Sequence, residues 1–288
     1  MQAVIILAHK NIDQVIDLGT LLRSKFEVYI HFDRKVSLSR KQIERLNRER
    51  INYYSFLKVN WGAWSVAKAT LMMMKEVLKE GKIQYVHVIS GQDWPVKNLN
   101  DIYNFYQNND HIYMEIEKAN GIKKSGEPII YWQKYYFDYD KINRKKLYGK
   151  LYHRLSLLLQ TIFRIDKFKR YKFKGEIYTG SQWVDLPIDV VSYLVEYSEN
   201  NLEKMKIFKY GFCSDEFWMQ TIIGNNVKFK DRIVNNNHRF IKWKKQHNSY
   251  PAILDESNYV ELNDSEAQFA RKFDYDNSKE LIQRLNIK

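Results

Sequence analysis

Short apolar runs alternate with amphipathic helical patterns over the first hundred residues, and this alternation constrains the fold more than any other feature of the sequence. The runs AVIILAH at residues 3–9, FEVYIHFD at residues 26–33 and IQYVHVIS at residues 83–90 predict buried strands. Helical patterns lie between them, and a further helix is predicted around Leu99 to Tyr106. Successive strands joined through helices run parallel, so we expect an α/β fold with a central, mostly parallel twisted sheet flanked by helices.

Polar residues follow each of the three predicted strands, where such sheets bind their ligands. His9 follows the first strand, Asp33 in HFDRK the second, and Asp93 in SGQDWP the third. No G-x-G-x-x-G or P-loop lysine pattern follows any of these strands. A bound nucleotide is therefore expected to be held in another way.

The length and cysteine content indicate a single globular unit in a reducing compartment. The chain has 288 residues, 44% of them hydrophobic, which is enough for one large core spanning residues 1–288. Cys213 is the single cysteine, so no disulfide framework forms. The apolar run from Ala3 to Ala8 has neither the length of a membrane span nor a signal cleavage pattern. We expect a cytoplasmic protein.

The positive charge is concentrated in one segment. The formal net charge is +13, but residues 141–174 hold twelve of the 47 basic residues and one of the 34 acidic residues, so the rest is nearly neutral. Leu147, Leu151, Leu155 and Leu158 recur there at helical spacing. This basic amphipathic insertion is either an interfacial helix on anionic lipid or a core helix with a solvated basic face, and no nucleic-acid recognition module accompanies it.

The second half of the chain continues the alternation less regularly. The stretches EIYTGSQWVDLP and RFIKW predict strands, and DVVSYLVEYSE and DEFWMQTII predict helices. The stretch DSEAQFARKF predicts a helix capped by Asp264 or Ser265.

Two adjacent acids in CSDEFWMQTI have both a structural and a chemical interpretation. Ser214 is a plausible N-cap, which would place Asp215 and Glu216 in the first turn of a helix, where the dipole favours negative charge. A carboxylate held rigidly at a helix start also suits a general base. The residue pattern alone leaves both interpretations open.

Other chemistries have weaker sequence support. The tripeptide DYD occurs at Asp138–Asp140 and at Asp274–Asp276, but neither copy follows a clear strand as a divalent-metal site would. The seven histidines show no arrangement that would activate Cys213, which is expected to be a buried, inert thiol. One cysteine without an H-E-x-x-H motif argues against zinc.

In their order along the chain, several motifs together resemble the core-2/I-branching family of inverting glycosyltransferases, and its bacterial members most. The matching stretches are IHFDRK, WGAWSVAKATLMMM, SGQDWPVK, MEIEK, YTGSQWVDLP, CSDEFWMQTI, RFIKW followed by YP, and ARKFD.

The resemblance implies a GT-A-like fold, a nucleotide-sugar donor such as a UDP-sugar, and transfer without a metal or other cofactor. It makes Glu216 the catalytic base. Lys272, beside Arg271, becomes one of two cations on the leaving diphosphate. The second cation falls where this chain has Ala252, which leaves four nearby residues as substitutes: Arg239, Lys242, Lys244 and Lys245.

The resemblance also divides the remaining site residues between donor and acceptor. His9, Asp33 and Asp93 are expected on the donor side. The acceptor side is expected to comprise Glu115, Trp132, Gly180, Ser181 and Trp183. The family's basic residues before the tryptophan are replaced by Ile130 and Tyr131, which argues against a mucin-type acceptor.

The sequence thus predicts a transferase that adds N-acetylglucosamine in β-1,6 linkage during surface polysaccharide synthesis. Its acceptor would be a glycan or lipid-linked oligosaccharide at the inner face of the membrane. The alternative is a non-catalytic carbohydrate-binding or membrane-associated protein with a degenerate site.

Overall fold

The computed structural model describes residues 1–286 and confirms the predicted α/β fold. The strands are β1 (Gln2–Ala8), β2 (Glu27–Phe32), β3 (Asn52–Tyr54), β4 (Tyr85–Ser90), β5 (Asp93–Pro95), β6 (Ile112–Tyr113), β7 (Glu117–Lys118), β8 (Lys123–Lys124), β9 (Glu127–Pro128), β10 (Tyr178–Thr179), β11 (Asp185–Pro187), β12 (Ile233–Val234), β13 (Arg239–Ile241) and β14 (Phe269–Arg271). The helices are α1 (Ile12–Leu22), α2 (Arg40–Arg48), α3 (Trp64–Leu78), α4 (Leu99–Tyr106), α5 (Ile130–Lys134), α6 (Leu147–Ile162), α7 (Lys167–Arg170), α8 (Ile188–Asn200), α9 (Leu202–Lys209), α10 (Trp218–Gly224), α11 (Tyr259–Asp264) and α12 (Tyr275–Asn286).

The central sheet has the strand order β12-β6-β11-β4-β1-β2-β3, and only β11 within it runs antiparallel to its neighbours. Strand β1 lies between β2 and β4. The Asp33 N–H donates to the Ala8 carbonyl over 2.8 Å, and the Gly91 N–H donates to the Leu7 carbonyl over 3.0 Å. The carboxyl ends of the three predicted strands therefore meet at one edge of the sheet, as the sequence predicts.

Alternate residues of β1 enter hydrophobic cores on opposite faces of the sheet. Ala3 and Ile5 pack into the core that contains Met73 of α3, whereas Val4 and Ile6 pack into the core that contains α1. Because both faces are covered, the strand reads as a continuous apolar run rather than an alternating one. Each fully buried aliphatic side chain of this kind stabilises the fold by about 1.5–3 kcal/mol.

A second sheet joins β13, β14 and β5, and here the predicted helix over residues 264–273 is wrong. Phe269–Arg271 pairs with Asp93–Pro95 on one side and with Arg239–Ile241 on the other. Phe269 and Ala270 are both buried. Neighbouring strands far away in sequence supply the backbone partners, and local apolar spacing could not reveal them.

The basic segment 141–174 contains the predicted helix, α6, followed by α7. Lys167 anchors it: the ammonium group is fully buried and donates to the carbonyls of Ile207 and Tyr210, each over 2.7 Å. Burial lowers the pKa of Lys167 well below its usual value. Within residues 1–286, none of the helices combines the length and apolarity that crossing a bilayer requires.

Candidate active site

The turn that carries the two adjacent acids differs from the sequence prediction. Ser214 is not an N-cap, because its hydroxyl donates to the buried carbonyl of Phe208 over 2.6 Å. Residues 214–216 form a 3₁₀ turn, entered through Cys213 in the left-handed region at φ 50°, and α10 begins only at Trp218. Asp215 and Glu216 therefore precede the helix instead of occupying its first turn.

Glu216 presents its carboxylate to solvent at this turn. Its side chain is 33% exposed, and Oε2 lies 3.2 Å from Nζ of Lys124. Lys124 belongs to the hairpin of β8 and β9, whose tip is formed by Ser125 and Gly126, both at positive φ. The Glu216 carboxylate is thus accessible from outside and has one flexible cationic partner, an arrangement that suits a general base.

Asp215 lies directly beside the predicted base, and the sequence interpretation assigned it no role in the site. Its Oδ1 is buried and has no hydrogen-bond partner among residues 1–286. Burial, together with the adjacent charge of Glu216, raises the pKa of Asp215 to about 7. In the sequence, the raised pKa is indicated by the adjacency of Asp215 and Glu216, because two neighbouring carboxylates repel each other. The helix-dipole interpretation explained the same adjacency without a pKa shift.

The structure brings Glu115, Gly180 and Ser181 together with Glu216, as predicted from the family motifs. The Gly180 N–H donates to the Glu216 carbonyl over 2.9 Å, and a β-carbon on Gly180 would lie 1.9 Å from the Glu115 carbonyl oxygen. Only glycine permits this approach. Partial burial and the charge of Glu216 raise the pKa of Glu115. A hydrogen bond from the Ser181 backbone acts in the opposite direction but does not cancel the increase.

The two tryptophans of the predicted acceptor side are buried rather than open. Trp132 is 7% exposed and donates its indole N–H to Glu127 over 2.7 Å. Trp183 is 5% exposed and lies under the Arg271 guanidinium, whose carbon is 4.4 Å from the ring centre. A sugar would meet only the edges of these rings.

Asp33 and Asp93 lie at the predicted edge of the sheet, but protein groups occupy their carboxylates. Asp33 accepts the N–H groups of Lys35 and Val59 over 3.0 and 3.2 Å. Asp93 accepts the Ser90 N–H and hydroxyl over 2.7 and 2.8 Å. Both acids are at most 3% exposed, so they act on this edge by holding its loops.

A cluster of cations lies at the same edge. Lys272 lies at this edge because its neighbour Phe273 is linked to Gly91, directly after β4. The Gln14 side-chain amide of α1 donates to the backbone carbonyls of both Gly91 and Phe273. Burial, followed by the charges of Arg271, Lys10 and Lys145, lowers the pKa of Lys272 to about 8. Burial and the charge of Lys10 likewise lower the pKa of His9.

Lys10 and Lys145 are the members of this cluster that the sequence did not reveal. Neither they nor Lys272 forms an ion pair with an acidic side chain in the described part of the chain. The Lys145 ammonium lies 5.4 Å from the ring centre of Trp61, a residue that is 55% exposed. We refer to Lys10, Lys145 and Lys272 as the lysine cluster.

Arg239 is unavailable as the second cation, which corrects the sequence expectation. It forms a bidentate pair with Asp185 over 2.6 and 2.8 Å, and both side chains are at most 1% exposed. Lys242, another expected substitute, pairs with Glu261 over 2.7 Å. These partners could not be read from sequence because they lie far away along the chain.

The two DYD tripeptides serve local structure. Asp138 pairs with Lys141 over 2.9 Å, and Asp274 accepts the Asn277 N–H over 2.9 Å at the start of α12. Within residues 1–286, no group of three or more His, Cys, Asp or Glu residues is placed to hold a metal ion. Cys213 is buried, as predicted, and burial raises the pKa of its thiol.

Two cavities help to orient the site. One, of about 220 Å³, is lined by Gln2, Gln84, Tyr85 and residues of α4, at the opposite edge of the sheet from Glu216. Another, of about 470 Å³, is lined by Lys123, Pro128, Tyr131 and Phe168, beside the hairpin that carries Lys124. The second cavity therefore lies close to Lys124, the partner of Glu216, whereas the first is lined by none of the predicted site residues.

The chain is similar to one family model and to several known proteins. A family model described as Core-2/I-Branching enzyme matches residues 20–262. Two Arabidopsis thaliana proteins, beta-glucuronosyltransferases GlcAT14B and GlcAT14A, are 31% and 26% identical over 114 residues, 39% of this chain. The match spans about a quarter of those relatives, 26% and 25% of their lengths. Core-mannan synthase A (CmsA/Ktr4) from Aspergillus fumigatus, in an Mn/GDP form, aligns with 81% of this chain and 72% of that chain at 11% identity, with a TM-score of only 0.36.

Proposed function

The chain belongs to the core-2/I-branching enzyme family, and from this membership we propose that it is an inverting glycosyltransferase. It moves a sugar from a nucleotide-sugar donor to a glycan acceptor, without a metal. As the specific substrates we propose UDP-N-acetylglucosamine, a β-1,6 linkage and a lipid-linked polysaccharide precursor. The carrying observation is the partly exposed carboxylate of Glu216, which pairs with a half-exposed lysine, in a chain whose sheet edge also holds the lysine cluster.

Glu216 acts as the base. An acceptor hydroxyl hydrogen-bonded to its carboxylate loses its proton to Glu216 as the oxygen attacks the anomeric carbon, while the diphosphate leaves from the opposite face. The ion pair with Lys124 occupies this position in the absence of acceptor. Because both partners are partly exposed, at 50% and 33%, the pair contributes only about 0.2–1 kcal/mol, so a hydroxyl replaces the ammonium at small cost.

The lysine cluster stabilises the leaving group. The departing diphosphate gains negative charge, and fixed cations facing it lower the barrier. Lys272 supplies one charge, and Lys10 and Lys145 take the part of the second cation in place of Arg239 and Lys242, which are paired with acids. Like charges held near each other without acidic partners are unfavourable in the free protein, and an anionic ligand relieves that repulsion.

A short segment links the turn that carries Glu216 with the strand that carries Arg271. Residues 180–183 connect them, since Gly180 bonds to Glu216 and Trp183 contacts Arg271. Three peptide units reach at most about 11 Å. We propose that the anomeric centre lies near Glu216 and that its diphosphate meets Lys272.

Glu216→Gln tests the proposal. The variant should retain the fold and UDP affinity and lose about 10²- to 10⁴-fold in transfer rate, the usual contribution of a general base. The readout is UDP release from a panel of UDP-sugars with acceptor, with and without EDTA. Glu203→Gln is the matched control, because Glu203 also pairs with a lysine, Lys206, but lies on α9.

Near-full activity of Glu216→Gln in EDTA would contradict the assigned mechanism. If the wild-type protein neither bound UDP nor hydrolysed any UDP-sugar, the non-catalytic carbohydrate-binding alternative would replace it.

A further inference from the structure

Helix α6 carries a row of large apolar side chains that face solvent. Leu147 is 83% exposed, Leu151 67%, Leu158 57% and Ile162 62%, and Phe163, directly after the helix, is 71% exposed. The spacing of three or four residues places them on one face. The sequence left open the alternative that the leucines of this helix face the core. The exposed fractions exclude that alternative for this row of side chains.

The opposite face of α6 fixes the helix in this orientation. Gly149 is buried so closely that a β-carbon on it would lie 2.1 Å from the Asn143 carbonyl oxygen. The buried His153 bonds to Tyr139 through Nδ1 and to Glu127 through Nε2, the latter over 2.8 Å. The apolar row cannot turn inward without breaking these contacts.

Basic side chains surround the row. The segment 141–174 has a single acid, Asp166, which caps α7. The exposed cations on or beside α6 are Lys146, Lys150, Arg154, Arg164 and Lys169. An apolar stripe with a basic surround on a convex helix matches the chemistry of an anionic lipid surface, where the stripe enters the acyl boundary and the cations meet headgroups.

We propose that α6 docks this protein on the surface of an anionic bilayer. The helix lies in the plane of the interface, with Leu151, Leu155 and Leu158 immersed. A second copy of this chain fits the surface poorly, because a two-fold contact would place two such basic segments against each other.

Docking would bring the cleft to the headgroups. His153 of α6 bonds to Glu127, and Glu127 accepts the Trp132 indole, so the helix joins the acceptor side directly. The same basic segment supplies Lys145 to the lysine cluster. A lipid-carried acceptor would thus reach Glu216 without leaving the membrane; this last step rests on the proposed function, whereas docking itself does not.

Vesicle co-sedimentation of the full chain tests the proposal. The wild-type protein should sediment with phosphatidylcholine vesicles containing phosphatidylglycerol, more weakly as salt rises, and remain in solution with pure phosphatidylcholine. The triple variant Leu151→Ser, Leu155→Ser, Leu158→Ser should lose at least about tenfold in vesicle affinity. The control replaces three exposed apolar residues elsewhere by serine: Leu202, Val227 and Val260. It should bind as the wild type does.

Measuring UDP binding by the same proteins separates a failure of membrane docking from misfolding of a variant and from a failure of the transferase proposal. Unchanged UDP affinity of the triple variant shows that it is folded; should it misfold, Lys150→Gln with Arg154→Gln replaces it and should likewise weaken binding to anionic vesicles. Absence of wild-type binding to phosphatidylglycerol vesicles, or equal binding by the variants, overturns docking. Docking is also overturned if the wild-type protein is a dimer in the absence of lipid and the triple variant is a monomer. If vesicles bind but UDP does not, docking stands and the transferase proposal fails.

Discussion

Replacing Asp215 by asparagine should stabilise the protein in a pH-dependent way. The carboxyl group is buried with an unpartnered oxygen beside Glu216, and burial raises its pKa from 3.8 to about 7. In the unfolded chain the same group ionises near its ordinary value. Between these two values the unfolded state is ionised and the native state is not, so the native state loses stability as pH rises.

The size of the effect follows from the difference in pKa. The native and unfolded pKa values of Asp215 differ by about three, which corresponds to about 4 kcal/mol, since each tenfold change in an equilibrium constant is worth roughly 1.4 kcal/mol. Because Asp215 is not completely sealed from solvent, we expect about 2–4 kcal/mol. The cost is absent below about pH 4, grows up to about pH 7 and is constant above it. Asparagine has a similar shape and no ionisation, so it removes this cost.

Urea denaturation at pH 4, 5.5, 7 and 8 measures the prediction. The free energy of unfolding of Asp215→Asn should exceed that of the wild type by about 2–4 kcal/mol at pH 8 and converge with it near pH 4. Asp231→Asn, at an exposed acid, is the control and should change stability by less than about 0.5 kcal/mol. A difference that is independent of pH, or none at pH 8, would refute the reasoning.

Three further predictions concern the cations. UDP affinity should fall about tenfold as pH rises through 8, because the Lys272 ammonium loses its proton there. The variant Lys272→Arg should retain its UDP affinity over the same pH range, because the guanidinium stays charged. Isothermal titration calorimetry measures both affinities. Lys145→Ala should weaken UDP binding about tenfold but UMP binding much less, whereas Lys150→Ala, at an exposed lysine of α6, should change neither. Arg239→Met should lower the free energy of unfolding by about 3–5 kcal/mol in urea, because the buried Asp185 carboxylate loses its guanidinium partner and keeps the hydrogen bonds to His87 and Tyr106. Adding Asp185→Asn should recover most of the loss.

The position of Asp215 suggests why a destabilising group is kept. Active sites commonly retain residues that cost stability, since chemistry requires groups that the core would exclude. We expect the stabilised Asp215→Asn variant to have altered transfer kinetics, to be measured by UDP release over the same pH range. Unchanged kinetics would limit Asp215 to a structural role.

The sequence by itself determined the architecture of the central sheet. Strands β1, β2 and β4 and helix α3 could be predicted because apolar periodicity reflects which side of a segment is buried. The family resemblance named Glu115, Gly180 and Glu216, which lie close together in the structure; their roles stay predictions. The basic amphipathic segment was equally visible, since charge and spacing are local properties.

Only the tertiary structure decided which residues surround those positions. It paired Arg239 with Asp185 and made Phe269–Arg271 a strand. It gathered Lys10, Lys145 and Lys272, from three distant parts of the chain, into one cluster, and it left the leucine row of α6 in solvent. Hydrogen-bond partners, burial and Coulomb interactions depend on neighbours in space, and local sequence patterns do not specify those neighbours.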